Sequence, residues 1–382
     1  MYVFMSHILS FWFLICRSCH HSFCYLLFRF FKIPLSLHLQ MKKLFFFLFI
    51  VGSAYGQVPD KDGSLVQWLT LEEAMKKEKV QPKPLIMDFY TDWCGWCKTM
   101  MRTTYANPGL AQYINTFFYP VKFDAEGKDT VEFLGEKYMP TSDKPRTPHP
   151  LAIKLLNNKL MYPTTLFMNG YEKDKNEFKI NMIASGYLEQ PKIEPILVFI
   201  LENAGRNASY DDFSKNFQTA FYDSTNASRQ EKLTWLNPVL AFQKTIPEKK
   251  KTLVLINAQW CTSGKVMKLT SFSDSTIESY LLKKFNLVDF NPESTDTISF
   301  KGQLFTNLKN PQIPFHQLAI NLGRNSITFP SLIVLDENFE IADVISSYVS
   351  PSFLNDIVHF YGENIYKSKS WQDFMKDNKR LN

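Results

Sequence analysis

Cysteine is scarce in this chain, with six residues among 382. Three lie within residues 1–56, and the other three are Cys94, Cys97 and Cys261. Proteins held together by cross-links carry several cysteine pairs for a far shorter chain. One close pair and one odd cysteine therefore exclude a structural disulfide framework, and they point to a chemical use of the pair.

An excess of basic charge is also missing from most of the chain. The formal net charge is +6, but five basic residues and no acidic residue lie in residues 1–56. Subtracting these five leaves +1 for residues 57–382. A nucleic-acid partner demands a clustered basic surface, so we expect none. The length and the ordinary hydrophobic share of 45% allow two or three globular domains.

Residues 41–56 have the pattern of a secretory signal peptide. Met41 is followed by two lysines and by an apolar run from Leu44 to Val51, and small residues precede a cleavage site between Gly56 and Gln57. No cysteine follows this site, so the lipoprotein pattern is absent. We expect an exported protein, in the periplasm or an equivalent compartment.

Residues 1–40 precede this signal and are rich in Phe and Leu. An over-extended gene start is the favoured interpretation. A membrane-spanning segment is the alternative, but Arg17, His20 and His21 interrupt its apolar run. The pattern Cys16-Arg17-Ser18-Cys19-His20 matches haem attachment formally, and Cys24 adds a potential metal ligand. Since no folded domain surrounds the pattern, we expect neither haem nor metal.

The most informative stretch is LIMDFYTDWCGWCKTMM, residues 85–101. An apolar run typical of a strand leads directly into Trp93-Cys94-Gly95-Trp96-Cys97-Lys98. Where a strand feeds a helix, the helix amides stabilise a thiolate on the first cysteine of a C-x-x-C pair. Two sulfurs on one helical turn can close a bond that stays accessible and reducible. The pattern predicts a redox centre.

These residues resemble the active site of the thioredoxin superfamily. Asp88 stands six residues before Cys94, where that superfamily has a buried acid, and the Trp before the first cysteine and the Lys after the second also match. Within the superfamily, the stretch looks most like extracytoplasmic thiol:disulfide interchange proteins. The resemblance implies an α/β fold with a mixed sheet flanked by helices, and no cofactor besides the redox-active disulfide.

The resemblance also implies roles for individual residues. Cys94 is the expected nucleophile and Cys97 the resolving thiol. Asp88 relays the proton of Cys97, and Lys98 helps to stabilise the thiolate. A proline with a cis peptide bond faces the disulfide in such domains, and Pro163 in Tyr162-Pro163-Thr164 is the candidate. An ordinary proline at a strand start is the alternative. The expected substrate-binding residues are Trp93, Gly95, Trp96, Tyr162, Pro163 and Thr164.

Helices are predicted at 71–78, 97–105, 110–115, 130–138, 151–156 and 193–203, with strands at 117–123 and 179–184 and at the start of the Pro163 run. Together with the redox strand, this order is that of the thioredoxin core. His149 precedes the 151–156 helix and His316 occupies the equivalent place later in the chain. Both favour a capping or packing role over metal or acid/base chemistry.

The chain contains an internal repeat with an offset of 167 residues. It aligns Trp68-Leu69 with Trp235-Leu236, Trp93-Cys94 with Trp260-Cys261, and Pro163 with Pro330, among other pairs. We therefore expect two tandem thioredoxin-like folds: a catalytic domain at 57–204, a linker with a helix at 205–234, and a degenerate domain at 235–382.

The second copy lacks the residues that dithiol chemistry requires. Cys261-Thr262-Ser263-Gly264 has no resolving thiol, and Leu255 replaces the acid at the position of Asp88. A monothiol or iron–sulfur site is the alternative, although the order Cys-Thr-Ser-Gly does not fit that pattern. The second copy is expected to serve binding or geometry.

Together these patterns predict an exported thiol–disulfide oxidoreductase that exchanges disulfides with client polypeptides. The alternative is an exported binding or scaffold protein whose dithiol is regulatory or has lost its function. A membrane thiol electron donor is the expected partner if the site reduces its clients, because compartments outside the cytoplasm are oxidising. The sequence leaves open whether the site reduces, oxidises or isomerises.

Overall fold

The structure is a computed structural model that describes residues 60–172, 174–223, 233–242, 250–325 and 327–381. The predicted signal peptide at 41–56, its cleavage site and the haem-attachment pattern lie outside the described residues. Within the described ranges, no helix has the length and apolar character needed to cross a bilayer.

The first sheet has four strands in the order β2-β1-β5-β6. β2 pairs parallel with β1, whereas β1–β5 and β5–β6 are antiparallel. The elements of this part of the chain are α1 (Leu71–Val80), β1 (Leu85–Tyr90), α2 (Gly95–Arg102), α3 (Pro108–Phe117), β2 (Tyr119–Asp124), β3 (Val131–Phe133), β4 (Glu136–Tyr138), α4 (Pro150–Leu155), β5 (Thr164–Glu172), β6 (Glu177–Ser185) and α5 (Gln190–Leu201).

Strand β1 is buried on both faces of this sheet, which explains its uninterrupted apolar run. Leu85, Met87 and Phe89 belong to one hydrophobic cluster, and Ile86 belongs to the other together with Met100 of α2. Side chains alternate between the two faces of a strand. Asp88 therefore lies on the same face as Ile86, the face that helix α2 covers.

The prediction of a helix at 130–138 is wrong. This segment forms a hairpin, in which β3 pairs antiparallel with β4 through Leu134 and Gly135. Both turn residues have positive φ, 56° and 83°. Two such residues form the tight turn that matches strand twist, and glycine adopts this conformation without strain. In the sequence, the pattern that indicates this hairpin is a two-residue turn with glycine between two short runs that alternate apolar and polar residues.

The second half of the chain repeats this architecture. Its four-stranded sheet has the order β8-β7-β11-β12, with the same parallel and antiparallel pairs. Its elements are α7 (Pro238–Ala241), β7 (Lys251–Ile256), α8 (Thr262–Leu269), α9 (Ser275–Lys284), β8 (Phe285–Phe290), β9 (Ile298–Phe300), β10 (Gln303–Phe305), α10 (Gln317–Leu322), β11 (Ser331–Leu335), β12 (Ile341–Ser346), α11 (Pro351–Gly362) and α12 (Trp371–Leu381). The predicted fold class, two thioredoxin-like folds in tandem, is confirmed.

Small features recur at the offset of 167 residues as well. Isolated bridges join Leu69 to Val121 and Leu236 to Val288. The rings of Phe123 and His149 lie 5.3 Å apart, as do those of Phe290 and His316. Corresponding side chains thus make corresponding contacts, so the two halves share details of packing as well as topology.

The connection between the sheets contains the expected helix, α6 (Tyr210–Phe221). Its Phe213 and Phe217 are buried in the hydrophobic cluster of the second sheet, together with Val198 of α5. The two halves fall into one compact unit, Pro59–Asn382. The connection is therefore packed into the core that follows it and does not behave as a free spacer.

Candidate functional site: a disulfide at the start of helix α2

The two cysteines of the C-x-x-C stretch form a disulfide across the first turn of α2, with a Cα–Cα distance of 5.3 Å. Cys94 is the N-cap of this helix, and its sulfur accepts a hydrogen bond from the Cys97 amide at 3.1 Å. The positive end of the helix dipole therefore faces the sulfur of Cys94. This arrangement favours a thiolate at Cys94 when the bond is reduced.

The disulfide is less exposed than the sequence predicts. Cys94 is 4% and Cys97 3% exposed, whereas the flanking Trp93 and Trp96 are 53% and 63% exposed. The turn lies at the surface, but the two cysteines are largely covered, and each flanking Trp packs against a Tyr ring from another segment. Trp93 contacts the ring of Tyr162 at 6.3 Å, and Trp96 contacts Tyr187 at 5.5 Å.

Asp88 is completely buried on β1, the strand that precedes this turn. Its Oδ1 accepts hydrogen bonds from the hydroxyls of Thr165, at 3.1 Å, and Tyr105, at 3.4 Å. Its Oδ2 is buried without a hydrogen-bond partner. Burial disfavours the charged carboxylate and raises the pKa of Asp88 to about 7, although the bond from Thr165 and the charge of Lys122 partly oppose this rise. Such a group can take up and release a proton near neutral pH.

The predicted cis peptide is present between Tyr162 and Pro163. Its position beside the cysteines follows from the ring contact between Tyr162 and Trp93. Thr164 begins β5, and its hydroxyl is used internally, donating to the carbonyl of Met161 at 2.6 Å. Pro163 is buried, and its carbonyl accepts from the Gly186 amide at 2.8 Å. The backbone of this segment and the loop at 185–187 thus form one edge of the site.

The orientation of Trp93 is fixed by two residues that the sequence did not single out. Its indole Nε1–H donates to Glu126 Oε2 at 2.9 Å, and the guanidinium of Arg146 lies 5.4 Å from its ring. Both residues belong to the polar segment between β2 and α4. A charged residue that forms such contacts across the fold leaves no pattern in the sequence.

The remaining predicted residues of the turn differ in their surroundings. Gly95 is exposed, and a Cβ at this position would meet no atom within 4 Å. Lys98 is exposed, and its amide donates to the Cys94 carbonyl at 3.3 Å. Within the part of the chain that the structure describes, its ammonium group forms no ion pair. The predicted help of Lys98 to the thiolate stays a prediction.

The two equivalent histidines are helix caps, as predicted. His149 Nδ1 accepts from the Leu151 amide at 3.2 Å, and its Nε2–H donates to the Asp129 carbonyl. His316 forms the same pair of bonds, with Leu318 and Asp296. Both ring nitrogens are used in each case. Among the described residues, no group of three or more His, Cys, Asp or Glu side chains is arranged to hold a metal ion.

In the second domain, the side chain of Asn257 occupies the space beside the position of the resolving cysteine. A Cβ at Gly264 would lie 1.9 Å from the side-chain oxygen of Asn257. Cys261 is a buried free thiol, and Leu255 lies in the core where the first domain has Asp88. This site therefore cannot close an internal disulfide.

Comparison with known proteins supports a thioredoxin-like fold for the first domain. Residues 53–192 match the family model Thioredox_DsbH, described as "Protein of unknown function, DUF255". A search of curated proteins returned no match.

Three solved structures illustrate the similarity. A thioredoxin from Thermus thermophilus is 13% identical, over 35% of this chain and 84% of its own, with a TM-score of 0.26. A structure titled DsbH Oxidoreductase is 18% identical, over 34% and 80%, with a TM-score of 0.22. The reduced C-terminal domain of DsbD from Neisseria meningitidis is 20% identical, over 34% and 93%, with a TM-score of 0.23.

Because these identities and TM-scores are low, the three structures carry no argument by themselves. The thioredoxin-like fold is inferred from the family model and from the strand pairing of the chain itself. The order β2-β1-β5-β6, the disulfide at the start of α2 and the cis peptide before Pro163 agree with the thioredoxin-like fold that the sequence predicts. Residues 53–192 thus match the family model Thioredox_DsbH, and the described residues form a thioredoxin-like fold that the second sheet of the chain repeats.

Proposed function

We propose that this protein is a thiol–disulfide oxidoreductase that exchanges disulfides with client polypeptides through Cys94 and Cys97. The observation that carries the proposal is the cysteine pair at the first turn of α2, preceded on β1 by a buried carboxyl group with a pKa of about 7. A nucleophile stabilised by a helix start and an acid–base group tuned to neutral pH are what two-step disulfide exchange requires.

In the reducing direction, the thiolate of Cys94 attacks one sulfur of a client disulfide. A bond forms between Cys94 and the client, and the other client sulfur leaves as a thiolate that takes up a proton. Cys97 then loses its proton, attacks the sulfur of Cys94 and displaces the second client sulfur. The client gains two electrons, and the dithiol of the protein becomes the disulfide. The oxidising direction is the reverse.

Asp88 serves this scheme as a proton relay for Cys97. Its unpartnered Oδ2 is free to hold the proton, and its pKa of about 7 allows both protonation states at neutral pH. Trp93, Gly95, Trp96 and Tyr162 make up the accessible part of the proposed client surface. Pro163 and Thr164 are buried beside it, and the backbone contact expected of them stays a prediction. The exposed aromatic rings offer apolar contact area to an unfolded segment.

The proposed partners are proteins that carry thiols or disulfides. On the evidence of residues 41–56 alone, the proposal includes export from the cytoplasm. A reducing role requires a thiol electron donor, in the membrane or linked to it, because the compartment is oxidising. Equilibration of the Cys94–Cys97 pair against glutathione buffers measures the reduction potential, and thereby the direction of the reaction.

The test uses reduction of insulin disulfides by dithiothreitol, with the full chain as catalyst. Cys94→Ser is expected to lower the rate to that of dithiothreitol alone, because the attacking sulfur is lost. Cys261→Ser is the matched control, since it removes a cysteine from the second domain, and it should leave the rate unchanged. A Cys94→Ser variant as active as the unmodified protein contradicts the proposal.

A trapping experiment separates an enzyme from a scaffold. Cys97→Ser removes the resolving thiol, so mixed disulfides between Cys94 and clients should accumulate and disappear on addition of reductant. The Cys94→Ser, Cys97→Ser double variant should accumulate none. If Cys97→Ser traps no client under conditions in which the unmodified protein catalyses exchange, the two-step scheme is wrong.

A further inference from the structure

The turn of the second domain is covered by a carboxylate from the end of the first domain. Glu202 directly follows α5 and is 6% exposed. Its Oε1 accepts from the Thr262 amide at 2.8 Å, and its Oε2 accepts from the Ser263 amide at 2.7 Å and from the Ser263 hydroxyl. The thiol of Cys261 also donates to Oε2, at 3.1 Å. Four donors thus converge on one carboxylate.

The same segment continues across the loop that follows β12. Ser347 Oγ donates to the carbonyl of Asn203 at 2.8 Å. The amide group of Asn207 donates to the carbonyls of Ser346, at 2.7 Å, and Tyr348, at 3.2 Å. Residues 202–207 therefore bind the second domain at both the cysteine turn and this loop.

These two places correspond to one face of the first domain. There, the Gly186 amide donates to the Pro163 carbonyl at 2.8 Å, and in the second domain the Ser347 amide donates to the Pro330 carbonyl at 2.7 Å. Peptide bonds before both prolines are cis. We call this surface the turn face; it comprises residues 93–97, 162–163 and 185–187 in the first domain, and 260–264, 329–330 and 346–348 in the second.

The turn face differs in exposure between the two copies. The second residue after the cysteine is Trp96 in the first domain and Ser263 in the second, and these side chains are 63% and 0% exposed. Tyr187 contacts Trp96 in the first domain, whereas its counterpart Tyr348 contacts Phe213 of α6 at 4.9 Å. In the second domain, residues 202–207 and α6 occupy the place beside the cysteine that the first domain leaves open. Trp260, at the edge of this turn, stays 43% exposed, against 53% for its counterpart Trp93.

We infer that residues 202–207 are a built-in occupant of the turn face of the second domain, which closes this copy to clients and keeps the Cys261 thiol out of disulfide exchange. That the turn face receives clients rests on the function proposed above, whereas its closure by these residues does not. The second copy is expected to serve either in binding a partner or in fixing the arrangement of the chain. The contacts favour the second use, because the second domain binds the end of the first domain.

The chemistry of Glu202 accounts for both effects. A carboxylate at a helix start satisfies amides that have no partner within the helix, and it interacts favourably with the helix dipole. It occupies the place where the amides of a redox-active turn stabilise a thiolate. Burial and the adjacent carboxylate raise the pKa of the Cys261 thiol well above its usual value, so the reactive thiolate is suppressed.

The test measures alkylation of Cys261 by iodoacetamide in the folded full chain, with mass spectrometry to resolve each cysteine. We expect Cys261 to react about a hundredfold more slowly than in the chain unfolded in urea, because it is reached only after local opening. Glu202→Ala should raise the folded-state rate about tenfold or more, and Asn207→Ala should raise it less. Glu189→Ala, an exposed glutamate at the start of α5, is the matched control and should have no effect.

Glu202→Gln covers the case in which the alanine variant fails to fold, because it keeps the shape and removes an acceptor. A folded unmodified chain in which Cys261 reacts as fast as in urea overturns the inference, as does a folded Glu202→Gln with an unchanged rate. Clients trapped at Cys261 in the unmodified chain also overturn it. A protected Cys261 together with a Cys97→Ser variant that traps nothing refutes the proposed function and leaves the closure standing.

Discussion

Replacing Asp88 with asparagine should change how the stability of the protein depends on pH. Asp88 is completely buried, with one oxygen bonded to Thr165 and Tyr105 and the other without a partner. In the unfolded chain the carboxyl group is hydrated and titrates at its ordinary pKa of 3.8, whereas burial raises its pKa in the folded protein to about 7. Folding therefore favours the protonated form of this residue.

The magnitude follows from the two pKa values. Each unit corresponds to 1.36 kcal/mol, so a rise from 3.8 to about 7 amounts to about 4 kcal/mol. Because the folded-state value is the higher one, the stability linked to this proton is fully present below about pH 4. It is lost as the pH rises to about 7, and above that the cost of a buried charge stays constant.

The assay is denaturant unfolding of the disulfide form at a series of pH values, for the unmodified protein and for Asp88→Asn. The free energy of unfolding of the variant minus that of the unmodified protein should increase by about 4 kcal/mol from pH 4 to pH 8. A buried amide carries its own cost, but this cost does not vary with pH and cancels in the slope.

Asp92→Asn is the control for the loss of an exposed carboxyl group, because Asp92 is an exposed residue of the loop that follows β1. A pH dependence for Asp88→Asn no steeper than that for Asp92→Asn refutes the reasoning. NMR of ¹³C-labelled aspartate carboxyls provides a direct check, since one resonance should titrate near pH 7 and be missing from the Asp88→Asn variant.

Two other predictions concern the second domain and the connection. Gly264→Cys should not form a disulfide with Cys261, and it should cost about 1–3 kcal/mol of stability because Asn257 fills the space beside the new side chain. Combination with Asn257→Ala should relieve this cost. The argument is contradicted if mass spectrometry shows that the single variant forms a quantitative disulfide between Cys261 and the introduced cysteine. Phe213→Ala should lower the free energy of unfolding by about 3–5 kcal/mol, because this side chain is fully buried in the second core. If denaturant unfolding shows that the free energy of unfolding falls by less than about 1 kcal/mol, Phe213 behaves like a surface residue. That result is incompatible with a connection packed into the second core.

Local patterns predicted most of the first domain correctly, because its elements carry strong signals of their own. Thr70 and Glu73 form a capping box at the start of α1, within the helix predicted at 71–78. The helix predicted at 110–115 begins earlier, at Pro108, because Asn107 caps it. The hairpin at 131–138 was mistaken for a helix because its two short strands bury little surface and have weak periodicity. The glycine of its two-residue turn, Leu134-Gly135, is the local pattern that favours a hairpin at this place.

The candidate site also contains residues that the local sequence places and residues that only the fold brings together. Cys94, Cys97 and Asp88 lie within ten residues of one another, so the sequence places them on one strand and one helix. Glu126 and Arg146 fix the orientation of Trp93 from other parts of the fold. Their contact with the site depends on a loop path that no spacing rule encodes.

The sequence by itself determined that the chain is a duplication, that its first copy carries a dithiol at a helix start, and that its second copy lacks the resolving thiol and the acid. These features depend on residue identity and short spacing, which local physics converts directly into strands, helices and caps. The tertiary structure decided which turn face is open and which is closed. Glu202 reaches Cys261 across 59 residues of chain, and only the packing of α5 and α6 against the second sheet brings its carboxylate to that helix start.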